Sequence, residues 1–151
     1  MEFRLATKLD LTPEICRTIL HDAEHYIKEN EAVKNVSFWE ILNVFISFCD
    51  GRINDPQFWL AFKEDTLAGF MITQTVTENK HPALYIREAY IHPLQQGNGL
   101  ASFCMDILDK KAKNGGAKYI ICQRYSDAES FGHMMEKYGY KHKATEFIKE
   151  L

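Results

Sequence analysis

The run Gln96-Gly97-Asn98-Gly99-Leu100-Ala101 is the segment whose residue types and spacing most directly imply chemistry. It lies between a β-branched and aromatic stretch ending in Ile91-His92-Pro93 and an amphipathic helix beginning near Leu100. The first turn of a helix carries backbone N–H groups that no helical carbonyl satisfies. The helix dipole adds partial positive charge at the same end. Glycines let the backbone approach a ligand closely enough for those groups to be used. The chemistry expected here is the binding of a phosphate or pyrophosphate. Two common carriers of such a group fit poorly. A Walker A loop needs G-x-x-x-x-G-K-[ST], and no lysine lies between Lys80 and Lys110. Gly97-x-Gly99-x-x-Ser102 loosely matches a dinucleotide fingerprint, which also wants an acidic residue about 20 positions on and a second nucleotide-binding half. Here the next strand ends in Gln123-Arg124, and too little chain follows for a doubly wound sheet.

The elements around this turn read in order. Phe3 to Thr7 is a short strand. Thr12, Pro13 and Glu14 open a helix as N-cap, first helical residue and first-turn acid, and Leu11, Ile15, Ile19, Ala23 and Ile27 recur every fourth position as its buried stripe. A capping box Ser37-x-x-Glu40 starts a second helix through Phe38, Ile41, Leu42, Phe45, Phe48 and Cys49, stopped by Asp50-Gly51. The period then changes to two. Gln57 to Lys63 and Leu67 to Val76 form a hairpin about Glu64-Asp65-Thr66, and Ala83 to Ile91 is a third strand. Leu100, Phe103, Cys104, Ile107 and Leu108 share a helical face that ends at Asn114-Gly115-Gly116. Lys118 to Gln123 is a central strand, and Ser126-x-x-Glu129 caps a last helix with Phe131, Met134, Met135 and Tyr138 on one side. Gly139 closes it, and Tyr140 to Leu151 is extended. The order is β-α-α-β-β-β-α-β-α-β. A hairpin implies antiparallel pairs and strand–helix–strand implies a parallel one, so the fold class is α+β with a mixed, mostly antiparallel central sheet flanked by helices.

At 151 residues the chain is expected to form a single domain with a core that needs neither disulfide nor metal. The net charge of −3 argues against a general nucleic-acid binder, and no apolar run reaches the ~20 residues of a membrane span. The start Met-Glu-Phe-Arg-Leu-Ala is unlike a signal peptide. The four cysteines (Cys16, Cys49, Cys104 and Cys122) are scattered, without a C-x-x-C pair, and read as buried free thiols with no metal site. A cytoplasmic protein is expected.

Gln96-x-x-Gly99-x-Ala101 matches the [Q/R]-x-x-G-x-[G/A] pyrophosphate loop of the GNAT superfamily of acyl-CoA-dependent N-acyltransferases. Its surroundings resemble that family too. Arg87-Glu88-Ala89-Tyr90-Ile91-His92-Pro93 is similar to the strand leading into the loop, and Tyr119 to Cys122 to the strand after it. Met134-Met135-Glu136-Lys137-Tyr138-Gly139-Tyr140 resembles the last helix and the Gly-aromatic turn. The resemblance spans the chain in order, most specifically residues 86–140.

That resemblance implies acetyl-CoA as acyl donor, held in a splayed parallel strand pair. Backbone N–H groups of Gly97, Asn98, Gly99, Leu100 and Ala101 would cradle its pyrophosphate, and Gln96 would add a side-chain donor. Main-chain groups near Ala89 to Ile91 would bind pantetheine as an added strand would, making Tyr90, Ile91 and His92 contact candidates. A protonated amine cannot attack a thioester, so a base is needed, and the departing thiolate needs a proton. Glu88 stands where several relatives carry a base. Many relatives have a tyrosine as acid where this chain has Met135, whose thioether has no proton to give. Tyr138, one turn on, Tyr125, just before the helix, or water are the remaining acids. The implied function is transfer of an acetyl group to a primary amine of a small molecule or peptide by direct attack in a ternary complex. The alternative is a catalytically silent acyl-CoA-binding sensor or interaction module on the same fold. Homodimerisation is compatible with the resemblance, and no residue pattern demands it.

Overall fold

The computed structural model describes residues 1–29, 36–123, 133, 135–143 and 146–151. Among these, seven strands form one sheet in the order β1-β2-β3-β4-β5-β7-β6, with β1 Glu2–Leu5, β2 Gln57–Lys63, β3 Thr66–Glu78, β4 His81–Ile91, β5 Tyr119–Gln123, β6 Lys141–Lys143 and β7 Glu146–Glu150. Three helices flank it: α1 Pro13–Glu29, α2 Phe38–Cys49 and α3 Leu100–Asn114. The expected α+β class holds. The extended tail resolves into two strands rather than one, and β7, not β6, lies beside β5. The last helix, with its cap at Ser126, lies mostly outside the described residues, where 135–137 are helical.

Local chemistry accounts for the boundaries. The Thr12 hydroxyl accepts the Ile15 N–H at 3.2 Å, and Ser37 Oγ accepts that of Trp39 at 3.2 Å, each satisfying one unpaired donor of a first turn. Both tight hairpins place two non-glycine residues at positive φ, Glu64-Asp65 and Asn79-Lys80. That backbone matches the right-handed twist of the flanking strands.

Two apolar layers cover the sheet. Ile19, Ala23, Phe45, Phe58, Leu60 and Phe70 pack beneath α1 and α2, whereas Trp59, Met71, Ile86, Leu100 and Leu108 pack beneath α3. β2 is therefore buried on both faces, which is why Phe58-Trp59-Leu60-Ala61 shows no polar alternation.

The site is shaped by two departures from regular pairing around β4. Against β3, Ile72 faces Glu88 but Thr73 faces Ile86, so Arg87 is an extra residue and the strand bulges there. On its other edge β4 pairs in parallel with β5 only from Ala83↔Tyr119 to Ile86↔Cys122. From Arg87 to Ile91 the strand keeps β3 and has no ladder to β5. Gly69, opposite Ile91, permits the close approach of β3 here, because an added Cβ would sit 2.2 Å from the Tyr90 carbonyl oxygen. Gly69→Ala is expected to destabilise the protein by about 1–3 kcal/mol, as overpacking does, read as a lower urea midpoint without ligand.

Candidate functional site

The glycine turn adopts the backbone its composition predicts. Gly97 and Gly99 both have φ of +79°, and Gly99 caps α3 in the left-handed region. No atom lies within 4 Å of an added Cβ at either position. Glycine is required there by conformation, and the space beside it is open to a ligand. The first helical backbone bond at this end runs from the Phe103 N–H to the Gly99 carbonyl. The N–H groups ahead of it in the first turn have no intrahelical partner.

A cavity of about 660 Å³ runs from this turn into the gap where β5 leaves β4. Its walls include Gln96, Gly97, Gly99 and Ala101 at the loop, Tyr90 and Ile91 on β4, and Tyr26 on α1. Six of the nine residues expected to hold cofactor thus border one space. The other three do not. Asn98 is exposed, the Leu100 side chain is in the core, and His92 borders a different cavity. The Gln96 Nε2 also donates to the Ile91 carbonyl at 3.0 Å, tying the loop to the end of β4. His92 Nδ1 accepts the Leu94 N–H at 3.2 Å, a local cap.

Glu88 is 6% exposed, and its Oε2 accepts the Tyr26 hydroxyl proton at 2.5 Å. Burial raises the Glu88 carboxyl above the ordinary range, opposed by the Tyr26 bond and Arg87. Tyr26 is fixed in turn by a stack of rings. Phe58, Phe70 and Tyr90 lie face to face with centroids 5.6 Å apart, and the Tyr26 ring meets the last two edge-on at 6.1 Å. The Tyr90 hydroxyl is bonded to His25 Nδ1 at 3.2 Å.

Of the expected acids, Tyr138 borders the cavity, and its hydroxyl shares a 2.9 Å hydrogen bond with Ser102 Oγ in the first turn of α3. Tyr125 lies outside the described residues. Met135 is 3% exposed in the α3-side core and borders the cavity. Cys49, Cys104 and Cys122 are buried as expected, but Cys16 is only half-buried. Burial pushes the Cys104 thiol up to about 12, so this cavity-lining sulfur is not a thiolate at neutral pH. Among the described residues no group of three metal-ligating side chains occurs, and no helix is long and apolar enough to cross a membrane.

A second cavity, of about 400 Å³, lies between α1 and the end of β4, bordered by Arg17, His21, Asp22 and His92. Asp22 is 2% exposed, with His21 Nδ1 at 3.6 Å. Burial raises its carboxyl above the ordinary range, against the pull of His92 and His21. A carboxyl with a raised folded-state pKa contributes stability at acid pH that is lost as pH climbs through that value. Asp22→Asn is therefore expected to melt above the parent at mildly alkaline pH, with the gap closing on acidification.

The comparisons with known proteins bear directly on this arrangement. The family model described as "Acetyltransferase (GNAT) family" matches residues 15–140, most of the chain. The chain belongs to the GNAT family of acetyltransferases. Among solved structures, the fold of this GNAT chain is similar to the PaiA N-acetyltransferase of Thermoplasma acidophilum in complex with coenzyme A. The two are 17% identical over 99% of this chain and 98% of that one, with a TM-score of 0.68. It is also similar to the ribosomal-protein-alanine N-acetyltransferase of Brucella melitensis biovar Abortus 2308 (15% identity, 91% and 90% covered, TM-score 0.66). A predicted acetyltransferase from Clostridium acetobutylicum with acetyl-CoA gives 15% identity, 95% and 91% coverage and a TM-score of 0.65. No curated protein sequence matches the chain.

Two buried polar residues of this GNAT chain, Tyr26 at the main cavity and Asp22 at the second, have no role assigned from the sequence. Neither Tyr26 nor Asp22 belongs to the apolar stripe or to a motif of the sequence. A signal was present: both fall three residues after a stripe position, Ile19 and Ala23, and so face inward with it.

Proposed function

We propose that this chain transfers an acetyl group from acetyl-CoA to a primary amine by direct attack within a ternary complex. The observation that carries the reading is the parting of β4 from β5 after Ile86, which opens a cavity continuous with the glycine turn. A pantetheine arm laid along β4 would hydrogen-bond to the main chain from Arg87 to Ile91 as a further strand does. Its pyrophosphate would meet the N–H groups at the start of α3. A backbone N–H near Ala89 to Ile91 would polarise the thioester carbonyl. Glu88 is the base in this reading. Burial raises its pKa above that of an ordinary carboxylate, which makes it the stronger base.

The test is thiol release from acetyl-CoA with a panel of aliphatic mono- and diamines, aminoglycosides, lysine-containing peptides and free peptide N-termini. Turnover on one of these classes is expected. On that amine, kcat/KM should rise with pH through the Glu88 carboxyl, on a limb displaced upward from that of an ordinary carboxylate. A flat profile over that range removes Glu88 as base. One observation favours the second reading, a silent acyl-CoA-binding module: Met135, where the resemblance implies a tyrosine acid, is a buried core residue. Binding of acetyl-CoA without turnover on any amine of the panel decides for that module.

A further inference from the structure

The geometry points to Tyr26 as the group that exchanges protons with the substrates, with the Glu88 carboxylate behind it as the proton store. This inference rests on Glu88 being the base. Tyr26 borders the main cavity, whereas Glu88 does not, and the Tyr26 hydroxyl donates to Glu88 Oε2 at 2.5 Å. An acceptor amine entering the cavity therefore meets the phenol before the carboxylate. A hydroxyl both donates and accepts, so it can take a proton on its oxygen while passing its own to Glu88. The ring is well held for this, edge-on to Phe70 and Tyr90 at interplanar angles of 81° and 73°. Of the other candidate donors, Met135 has no proton to give, and the Tyr138 hydroxyl is paired with Ser102 on α3 rather than with a carboxylate that could store one.

The neutral amine attacks the thioester carbonyl carbon, forming the C–N bond and a tetrahedral adduct with an ammonium and an oxyanion. The ammonium proton moves to the Tyr26 oxygen as the Tyr26 proton moves to Glu88 Oε2. The carbonyl re-forms, the C–S bond breaks and the electron pair leaves on sulfur. The proton on Glu88 then returns through Tyr26 to the thiolate. The products are the amide and CoA thiol, and both side chains end as they began. One hydrogen-bonded pair thus serves as base and acid in turn, which accounts for a methionine being tolerated where relatives carry a tyrosine.

Tyr26→Phe keeps the ring and removes only the oxygen. It should lower kcat on the fastest amine of the panel about as far as Glu88→Gln does, roughly 10²-fold or more, with unchanged acetyl-CoA affinity. The double variant should be no worse than the singles, because residues acting as a unit are non-additive. In mixtures of light and heavy water the parent rate should curve with deuterium fraction, as two protons in flight require, and Tyr26→Phe should respond linearly. Glu88→Asp, which withdraws the carboxylate from the phenol while keeping its charge, should also lose turnover, and it covers the case that Tyr26→Phe fails to fold. A Tyr26→Phe rate close to the parent, a linear parent response or multiplicative losses in the double variant overturn the relay. If Glu88→Gln is severe and Tyr26→Phe is not, the relay alone falls. If Glu88→Gln is harmless, or no amine is acetylated, the base reading falls and takes the relay with it.

Discussion

Acetyl-CoA at roughly a hundred times its dissociation constant is expected to stabilise the protein by about 2.7 kcal/mol, which for a chain of this size is a melting-temperature rise of about 5–10 °C. Gly99→Trp should abolish that rise. The reason lies in the backbone and in the open space beside it. Gly99 holds φ of +79° as the cap of α3, a conformation that costs an L side chain roughly 1–2 kcal/mol. Nothing beyond its chain neighbours lies within 4 Å of its absent Cβ, so a side chain starts into open space and the variant should still fold. The indole would then occupy the space that phosphate oxygens need. Differential scanning fluorimetry of parent and variant, each with and without acetyl-CoA, measures both effects. An undiminished shift in the variant would show that the ligand lies elsewhere.

Glu88→Gln is the second large effect. The amide is nearly isosteric, can still meet the Tyr26 hydroxyl, and cannot store a proton. Turnover should fall by about 10²–10⁴-fold, the usual contribution of a general base, while the acetyl-CoA thermal shift survives. That combination separates chemistry from cofactor binding. Loss of both would mark Glu88 as a structural residue. Folded stability should improve at neutral pH, because the substitution removes a buried carboxyl whose pKa is raised by desolvation. The sign follows from linkage: a raised carboxyl pKa favours the folded state only while the group is protonated, so the parent loses this contribution as pH rises.

The parts of the fold legible in the sequence were those dictated by local rules. The starts of α1, α2 and α3 followed from Pro13, Ser37 and the glycine turn, and the hairpin followed from a break in period at Glu64-Asp65. The parallel pair followed from strand–helix–strand order. Register did not follow. The extra residue at Arg87 depends on how β3 and β4 align over their whole length, and nothing at Arg87 itself announces it. The final hairpin was missed for a similar reason: β6 is only three residues long and is defined by its pairing with β7. At the site, the glycine loop was readable because its chemistry is contained in consecutive residues. The Tyr26–Glu88 bond joins positions 62 residues apart in sequence and forms only once α1 lies across β4. The Gln96 bond to the Ile91 carbonyl likewise forms only when the loop folds back.

The separation of β4 from β5 after Ile86 has a consequence beyond cofactor placement. It leaves a short strand edge inside the domain with its outward amides unladdered, the kind of edge that recruits another chain when exposed. The empty protein should therefore be the aggregation-prone form, and apart from Ala89, whose amide meets the Tyr26 oxygen, outward-facing amides in the Arg87–Ile91 stretch should exchange with solvent far faster than those of Ala83–Ile86. A bound pantetheine arm would cover that edge as an added strand does, so acetyl-CoA should slow both the exchange and the aggregation.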